Sequence, residues 1–203
     1  MDTKTLIFSA ILLSEPAVTL AASANATTQV TVLVYNIAPI AEAELSTAEA
    51  EGGSLLRMAG IRVHWAGCPA GLMDWVHGSE PCKNTDDPFT FKIQILSSQN
   101  GNRSPDAMGL AHPFEGDGKL ADINHATVAH IATLYDAPLS TLLGAVMAHE
   151  LGHLLLRSDH HSGGIMKGNW SRDEIELIRT RLLLFTAGDK KHMHLAVAQR
   201  AAH

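Results

Sequence analysis

His149-Glu150-Leu151-Gly152-His153 sits in the apolar run from Leu142 to Leu156, and its spacing decides how the rest of the chain is read. Residues four positions apart stack on one face of an α-helix, so both imidazoles can present a nitrogen to a single tetrahedral ion. Glu150 falls about 100° further round the helix than His149, where it faces a water activated by the metal rather than the metal itself. Neutral imidazole suits zinc, and zinc lowers the pKa of the water it binds to roughly 7, which lets a neighbouring carboxylate finish the deprotonation. The site still needs a third protein ligand.

A helix rich in Leu, His and Glu can carry this pentad by chance as an ordinary core element with surface histidines, so its surroundings matter. Upstream, Asp136, Pro138 and Ser140 supply start signals, and Leu142, Val146, His149 and His153 fall along one stripe with only Gly144 as a helix breaker. Downstream, Asp159-His160-His161-Ser162-Gly163-Gly164-Ile165-Met166 offers candidate ligands, then a glycine turn, then a methionine. Three ligand sets are open, sharing His149 and His153 and completed by His161, His160 or Asp159. The last would be a two-histidine, one-aspartate site, which zinc tolerates.

A ligand helix followed by a third ligand and a methionine-bearing turn resembles the metzincin clan of zinc metallopeptidases. The clan's extended motif has glycine and then a ligand at the positions held here by Leu156 and Asp159. The chain more closely resembles small secreted bacterial metallopeptidase-like proteins, in which the third histidine lies eight residues beyond the second; that spacing falls on His161. Those relatives carry glycine where this chain has Arg157, and their segment from histidine to methionine is one residue longer, which keeps His160 in play. The resemblance implies an α+β, zincin-like fold: a mixed twisted sheet, an active-site helix, and a C-terminal helix after a methionine turn. It also implies Zn2+ as cofactor, Met166 packed beneath the metal, and Gly109 to His112 as an edge-strand wall of the substrate cleft.

The chain has 203 residues, 46% of them hydrophobic, which fits one compact domain with a buried core. A net charge of −6 and the absence of a dense Lys/Arg cluster argue against nucleic acid as a partner. Lys4, the apolar run Leu6 to Leu13 and the small residues Ala22-Ser23-Ala24 read as a signal peptide over residues 1–24 and hence a secreted or periplasmic protein. Glu15-Pro16 interrupts that region, and spanning a bilayer takes about 20 apolar residues, so stable membrane insertion is not expected. The two cysteines, Cys68 and Cys82, suit a single disulfide in an exported protein. Closing a loop of about 15 residues contributes roughly 3 kcal/mol in the chain-entropy view.

Gln29 to Tyr35 is β-branched and nearly continuously apolar, a buried strand. Ala41 to Ala59 reads as an amphipathic helix weakened by Gly52-Gly53, Ile61 to Trp65 as a second, parallel strand, and Phe89 to Leu96 as a third. Met108 to Pro113 reads as a short edge strand and Ala121 to Ala132 as a further strand or irregular segment. Ser171 to Glu174 has capping-box spacing, predicting a helix from Arg172 to Phe185 with Ile175, Ile178, Leu182 and Phe185 inward. The domain is thus expected over 25–188, with a basic tail or frayed helix over 189–203.

Taken together, the sequence reads as a secreted zinc-dependent endopeptidase in which Glu150 is the general base and His149, His153 and His161 hold the metal. Its substrate is expected to be a peptide or protein, bound in a shallow cleft, with oligomeric state open. The only tyrosines are Tyr35 and Tyr135, and Trp170 follows the methionine turn, so His112 is the candidate for stabilising the oxyanion. The alternative is a catalytically weak binding protein that keeps a zincin scaffold around a structural zinc. An intact Glu150 argues against it, since a structural site needs no general base and is usually closed by four protein ligands.

Overall fold

The computed structural model describes residues 28–69, 82, 86–98 and 107–200, so the signal-peptide reading of 1–24 lies outside the described residues. Five strands form one sheet in the order β2-β1-β3-β5-β4. The strands are β1 (Thr28–Asn36), β2 (Ile61–Cys68), β3 (Thr90–Leu96), β4 (Gly109–Ala111) and β5 (Leu120–Asn124). β1 is flanked on both sides by parallel partners, and its Val30, Val32, Leu33 and Val34 are buried, as the continuous apolar run requires of a central strand. β3 and β5 are also parallel, whereas β4 runs antiparallel along β5 and ends the sheet.

Helix α1 (Glu42–Met58) runs unbroken through Gly52-Gly53, and those glycines have a packing reason. A Cβ on Gly52 would come 2.8 Å from the Gly144 carbonyl oxygen, so the backbone of α1 is in direct contact there with the helix that carries His149 and His153. Ala121 to Ala132 resolves into two elements. β5 ends at Asn124, and α2 (His125–Leu134) follows at once because the Asn124 side chain accepts from Thr127 N–H at 3.2 Å, an N-cap that outweighs the β-branched content of the segment.

Helix α3 (Leu139–Leu156) carries the pentad and is enclosed by α1, α2, the sheet and the C-terminal helices, with every residue from Thr141 to Leu155 buried. It is long and apolar enough to cross a membrane, but it serves as the core of this domain. Helix α4 (Arg172–Arg179) starts at the expected capping box and stops earlier than its sequence pattern predicts. Arg181 takes a left-handed φ of 58° and pairs with Glu51 of α1, which leaves Leu182 65% exposed and returns Leu183 and Phe185 to the core.

The stretch from 189 onward reads from its Lys and His content as a tail or a frayed helix. It lies in helix α5 (Ala187–Arg200), which is packed rather than frayed and buries Asp189, Met193, Val197 and Arg200 on one face. Those residues recur at helical spacing, a signal that the basic composition masks. Cys68 and Cys82 are joined in a disulfide that ties the end of β2 to the following segment.

Candidate metal centre

Three histidines converge at the end of α3. The side-chain nitrogens of His149, His153 and His161 lie within 4.8 Å of one another, the first two buried and the third exposed. His149 and His153 are brought together by helix pitch. His161 arrives from the loop after α3, stacks with its centroid 5.6 Å from the His149 ring and meets the His153 ring edge-on at 4.9 Å. His160 and Asp159 do not join this group; Asp159 lines the adjoining cavity and the His160 amide is taken by the Ser158 hydroxyl.

The tautomers follow from the acceptors. His149 Nδ1 donates to the Ile165 carbonyl at 2.7 Å and His153 Nδ1 to the Ser158 carbonyl at 2.7 Å, and a carbonyl can only accept. With each Nδ1 carrying its proton, both neutral rings turn a bare Nε2 lone pair toward the same point, and those two atoms stand 3.1 Å apart. Two lone pairs at that distance repel unless a donor or a cation lies between them. Tetrahedral zinc with Zn–N bonds of about 2.0–2.1 Å sets its ligand nitrogens roughly 3.3 Å apart, so the pair fits such an ion. Burial keeps the rings neutral, holding His149 down at about 4 and His153 below its ordinary value.

The sequence around α3 builds both orienting acceptors. The helix ends at Arg157 in a left-handed conformation (φ 50°), and the chain it turns back puts the Ser158 carbonyl on His153. The 3-10 turn Gly164–Met166 starts with Gly164 at φ 58°, its backbone against the Leu184 carbonyl, and delivers the Ile165 carbonyl to His149. Met166 is fully buried, and a Cβ on Gly152 would come 2.6 Å from its sulfur, so this methionine packs on α3 at the position between His149 and His153.

Glu150 is 5% exposed, and burial first, then the nearby Asp122 charge, raise its carboxyl to about 8 against the pull of the Ala111 backbone amide. It lies against the edge strand: a Cβ on Gly109 would come within 2.7 Å of its Cδ. Both groups face a cavity of about 450 Å³, lined by Gly109, Leu110 and Ala111 of β4 together with Ile131, Val146 and Trp170. The Trp170 ring packs edge-on to His149, centroids 5.5 Å apart.

His112 does not line this cavity. Its Nε2 is 3.1 Å from Asp122 and its Nδ1 3.2 Å from Glu115, so both nitrogens are occupied by carboxylates away from the cluster. The expectation that it stabilises an oxyanion is thereby corrected. Ser158 and Ile165 act through backbone carbonyls, which no side-chain pattern announces. Asp189 could have been found, because Thr186 to Asp189 repeats the spacing of a capping box.

No protein-family model and no curated protein sequence matches this chain. Solved structures do. The chain is similar to a zinc-dependent peptidase from Methanocorpusculum labreanum, with a TM-score of 0.56 and 13% identity over 80% of this chain and 99% of that one. It is similar to archaemetzincin from Methanopyrus kandleri, with a TM-score of 0.53 and 11% identity over 88% and 99% of the two chains. Metalloproteinase-II from Bacteroides fragilis gives a TM-score of 0.53 at 12% identity, over 86% of this chain and 55% of that chain. The fold is therefore the zincin-like α+β fold that the motif resemblance implied.

Proposed function

We propose that this protein is a zinc-dependent endopeptidase, with His149, His153 and His161 as the metal ligands and Glu150 as the general base. The single observation that carries the reading is the pair of bare Nε2 atoms 3.1 Å apart beside a buried carboxyl that faces the same cavity. The zincin-like fold of the similar zinc peptidases supports it.

Bound among the three imidazoles, zinc would polarise a scissile carbonyl and acidify water. The remaining work falls to the chain. Gly109 to Ala111 end the sheet, so the outer edge of β4 faces the cavity with room for an extended peptide to pair by strand addition. That pairing would hold the scissile bond along the strand, beside Glu150. Glu150 takes the proton of the attacking water and passes it to the leaving amine; burial raises its carboxyl in the metal-free site, and a cation bound beside it would favour the carboxylate that a base requires. Ile131, Val146 and Trp170 add apolar surface to the lining, which would help displace water from around a bound peptide. With three protein ligands rather than four, the cluster leaves one tetrahedral position open, as a catalytic site does.

Export is part of the proposal. The reading of 1–24 as a signal peptide is supported by the Cys68–Cys82 disulfide, since such bonds persist in oxidising compartments.

The test is zinc content together with cleavage of a fluorogenic peptide pool, for the wild type, Glu150→Ala and His161→Ala. One zinc per chain and cleavage by the wild type, loss of cleavage with metal retained in Glu150→Ala, and loss of zinc in His161→Ala are expected. Tight zinc binding without cleavage of any peptide would overturn the peptidase reading in favour of a binding protein on this scaffold.

A further inference from the structure

His149 and His153 each have a carbonyl that fixes the ring, but the exposed His161 ring hydrogen-bonds to no described residue. Its direction is set by the loop it stands on. A Cβ on Gly168 would come 3.0 Å from the His161 ring, so the ring rests against that glycine's backbone. The next residue is held more firmly. Ser162 N–H donates to the Met166 carbonyl at 3.2 Å, and Ser162 Oγ donates to Asp189 Oδ1 at 2.9 Å.

Asp189 is well placed to anchor a loop. It is 6% exposed, and its second carboxylate oxygen accepts from Thr186 N at 3.0 Å and from Thr186 Oγ1 at 2.7 Å. Its own amide donates back to Thr186 Oγ1 at 3.1 Å, so the carboxylate is locked in the first turn of α5. The far end of α5 reaches the same region: Arg200 donates to the Leu154 carbonyl at 2.9 Å, at the end of the ligand helix. Just before α5, the Leu184 carbonyl accepts from Ile165 N at 3.0 Å. The C-terminal arm thus grips the segment between His153 and Met166 at three points, and Asp189 holds the one beside His161.

We propose that Asp189 is a positioning residue for the third metal ligand, acting through Ser162 to hold His161 against the other two histidines. The inference rests on the reading of the three histidines as a metal site. Groups that orient ligands in this way typically change metal affinity by about 10–100-fold when removed.

The experiment is zinc affinity by competition with a chromophoric chelator, the visible spectrum of the cobalt-substituted protein, and thermal unfolding of the metal-free protein. The variants are Ser162→Ala, Asp189→Asn, Ser162→Thr and Thr186→Ala. Ser162→Ala leaves the α5 cap intact, so it should weaken zinc about tenfold with little change in metal-free unfolding, and the cobalt bands should lose tetrahedral intensity. Asp189→Asn should do the same, Ser162→Thr should restore affinity, and Thr186→Ala should cost stability more than zinc. Wild-type affinity and cobalt spectrum in both Ser162→Ala and Asp189→Asn would overturn the proposal. So would losses that merely track metal-free stability across all four variants. Failure of the wild type to bind zinc, or wild-type binding by His161→Ala, would instead sink the metal reading and this inference with it.

Discussion

Gly109 of the edge strand and Glu150 of α3 occupy adjoining space so closely that a Cβ on the glycine would meet the Glu150 carboxylate, 2.7 Å from both Cγ and Cδ. Real Cβ atoms do not approach so near, and β4 is tied to β5 by its ladder, so the carboxylate is the partner that must move. Gly109→Ala is therefore expected to retain zinc, because the three histidines are untouched, and to lose turnover by about 100-fold, the cost of misplacing a catalytic group by roughly 1 Å. Zinc content and kcat measured on the same sample check this. Wild-type kcat would show that Glu150 does not need its place against the strand.

Glu150→Gln is expected to stabilise the metal-free protein at alkaline pH while abolishing cleavage. The folded carboxyl titrates at about 8 and an ordinary one at 4.5, so between those values the folded state keeps a proton that the unfolded chain releases. Stability then falls as pH rises through that window. His149, held at about 4 against 6.5, works in the opposite sense: below 6.5 the unfolded chain takes up protons that the fold refuses, and stability falls as pH drops. The interval from 6.5 to 8 isolates Glu150. Thermal melts of metal-free wild type should decline across it and those of Glu150→Gln should stay level; parallel curves for the two would refute the assignment.

The legibility of this chain in its sequence follows the range of the interactions involved. β1, α1 and α3 were readable from their own residues, a β-branched apolar run in the first and strings of good helix formers in the other two, and the spacing of His149, Glu150 and His153 placed two of three clustered histidines outright. The third needed tertiary information. Asp159, His160 and His161 are all near enough in sequence to serve, and only the left-handed turn at Arg157 and the anchoring of Ser162 decide which side chain faces the pair. The early end of α4 was hidden for a similar reason, since Arg181 leaves the helix to meet Glu51, 130 residues away. In α2 the deciding signal was a single capping residue, Asn124, set against a β-prone composition.

Arg157→Gly should stabilise the protein. At φ 50° a side chain costs about 1–2 kcal/mol, and glycine's extra freedom in the unfolded chain returns roughly half of that, leaving a net gain of about 0.5–1 kcal/mol. Removing the guanidinium also relieves Arg200, whose own proton affinity is lowered by burial and then by the Arg157 charge. The turn itself is preserved, so the Ser158 carbonyl stays on His153 and zinc affinity should not change. A chemical-denaturation midpoint that rises at constant slope is the expected result. An unchanged or lower midpoint would mean that the Arg157 side chain contributes packing that offsets its strain.

Gly144→Ala should be among the most damaging single-methyl additions in the domain. Its Cβ would lie 2.5 Å from the Ala48 carbonyl oxygen, 2.8 Å from Glu51 Cβ and 2.9 Å from the Gly52 amide nitrogen, all on α1. Two of these are backbone atoms of a continuous helix, so relief requires the two helices to separate rather than one side chain to rotate. Overpacking of this kind costs about 1–3 kcal/mol. Because α3 carries His149 and His153 within the next three turns, the displacement should also lower zinc affinity, whereas a purely local cost would leave it intact. Unfolding midpoint and zinc affinity measured together separate the two: a fall in both is expected if α1 fixes the depth of the ligand helix, and a fall in stability alone would confine the role of this glycine pair to packing.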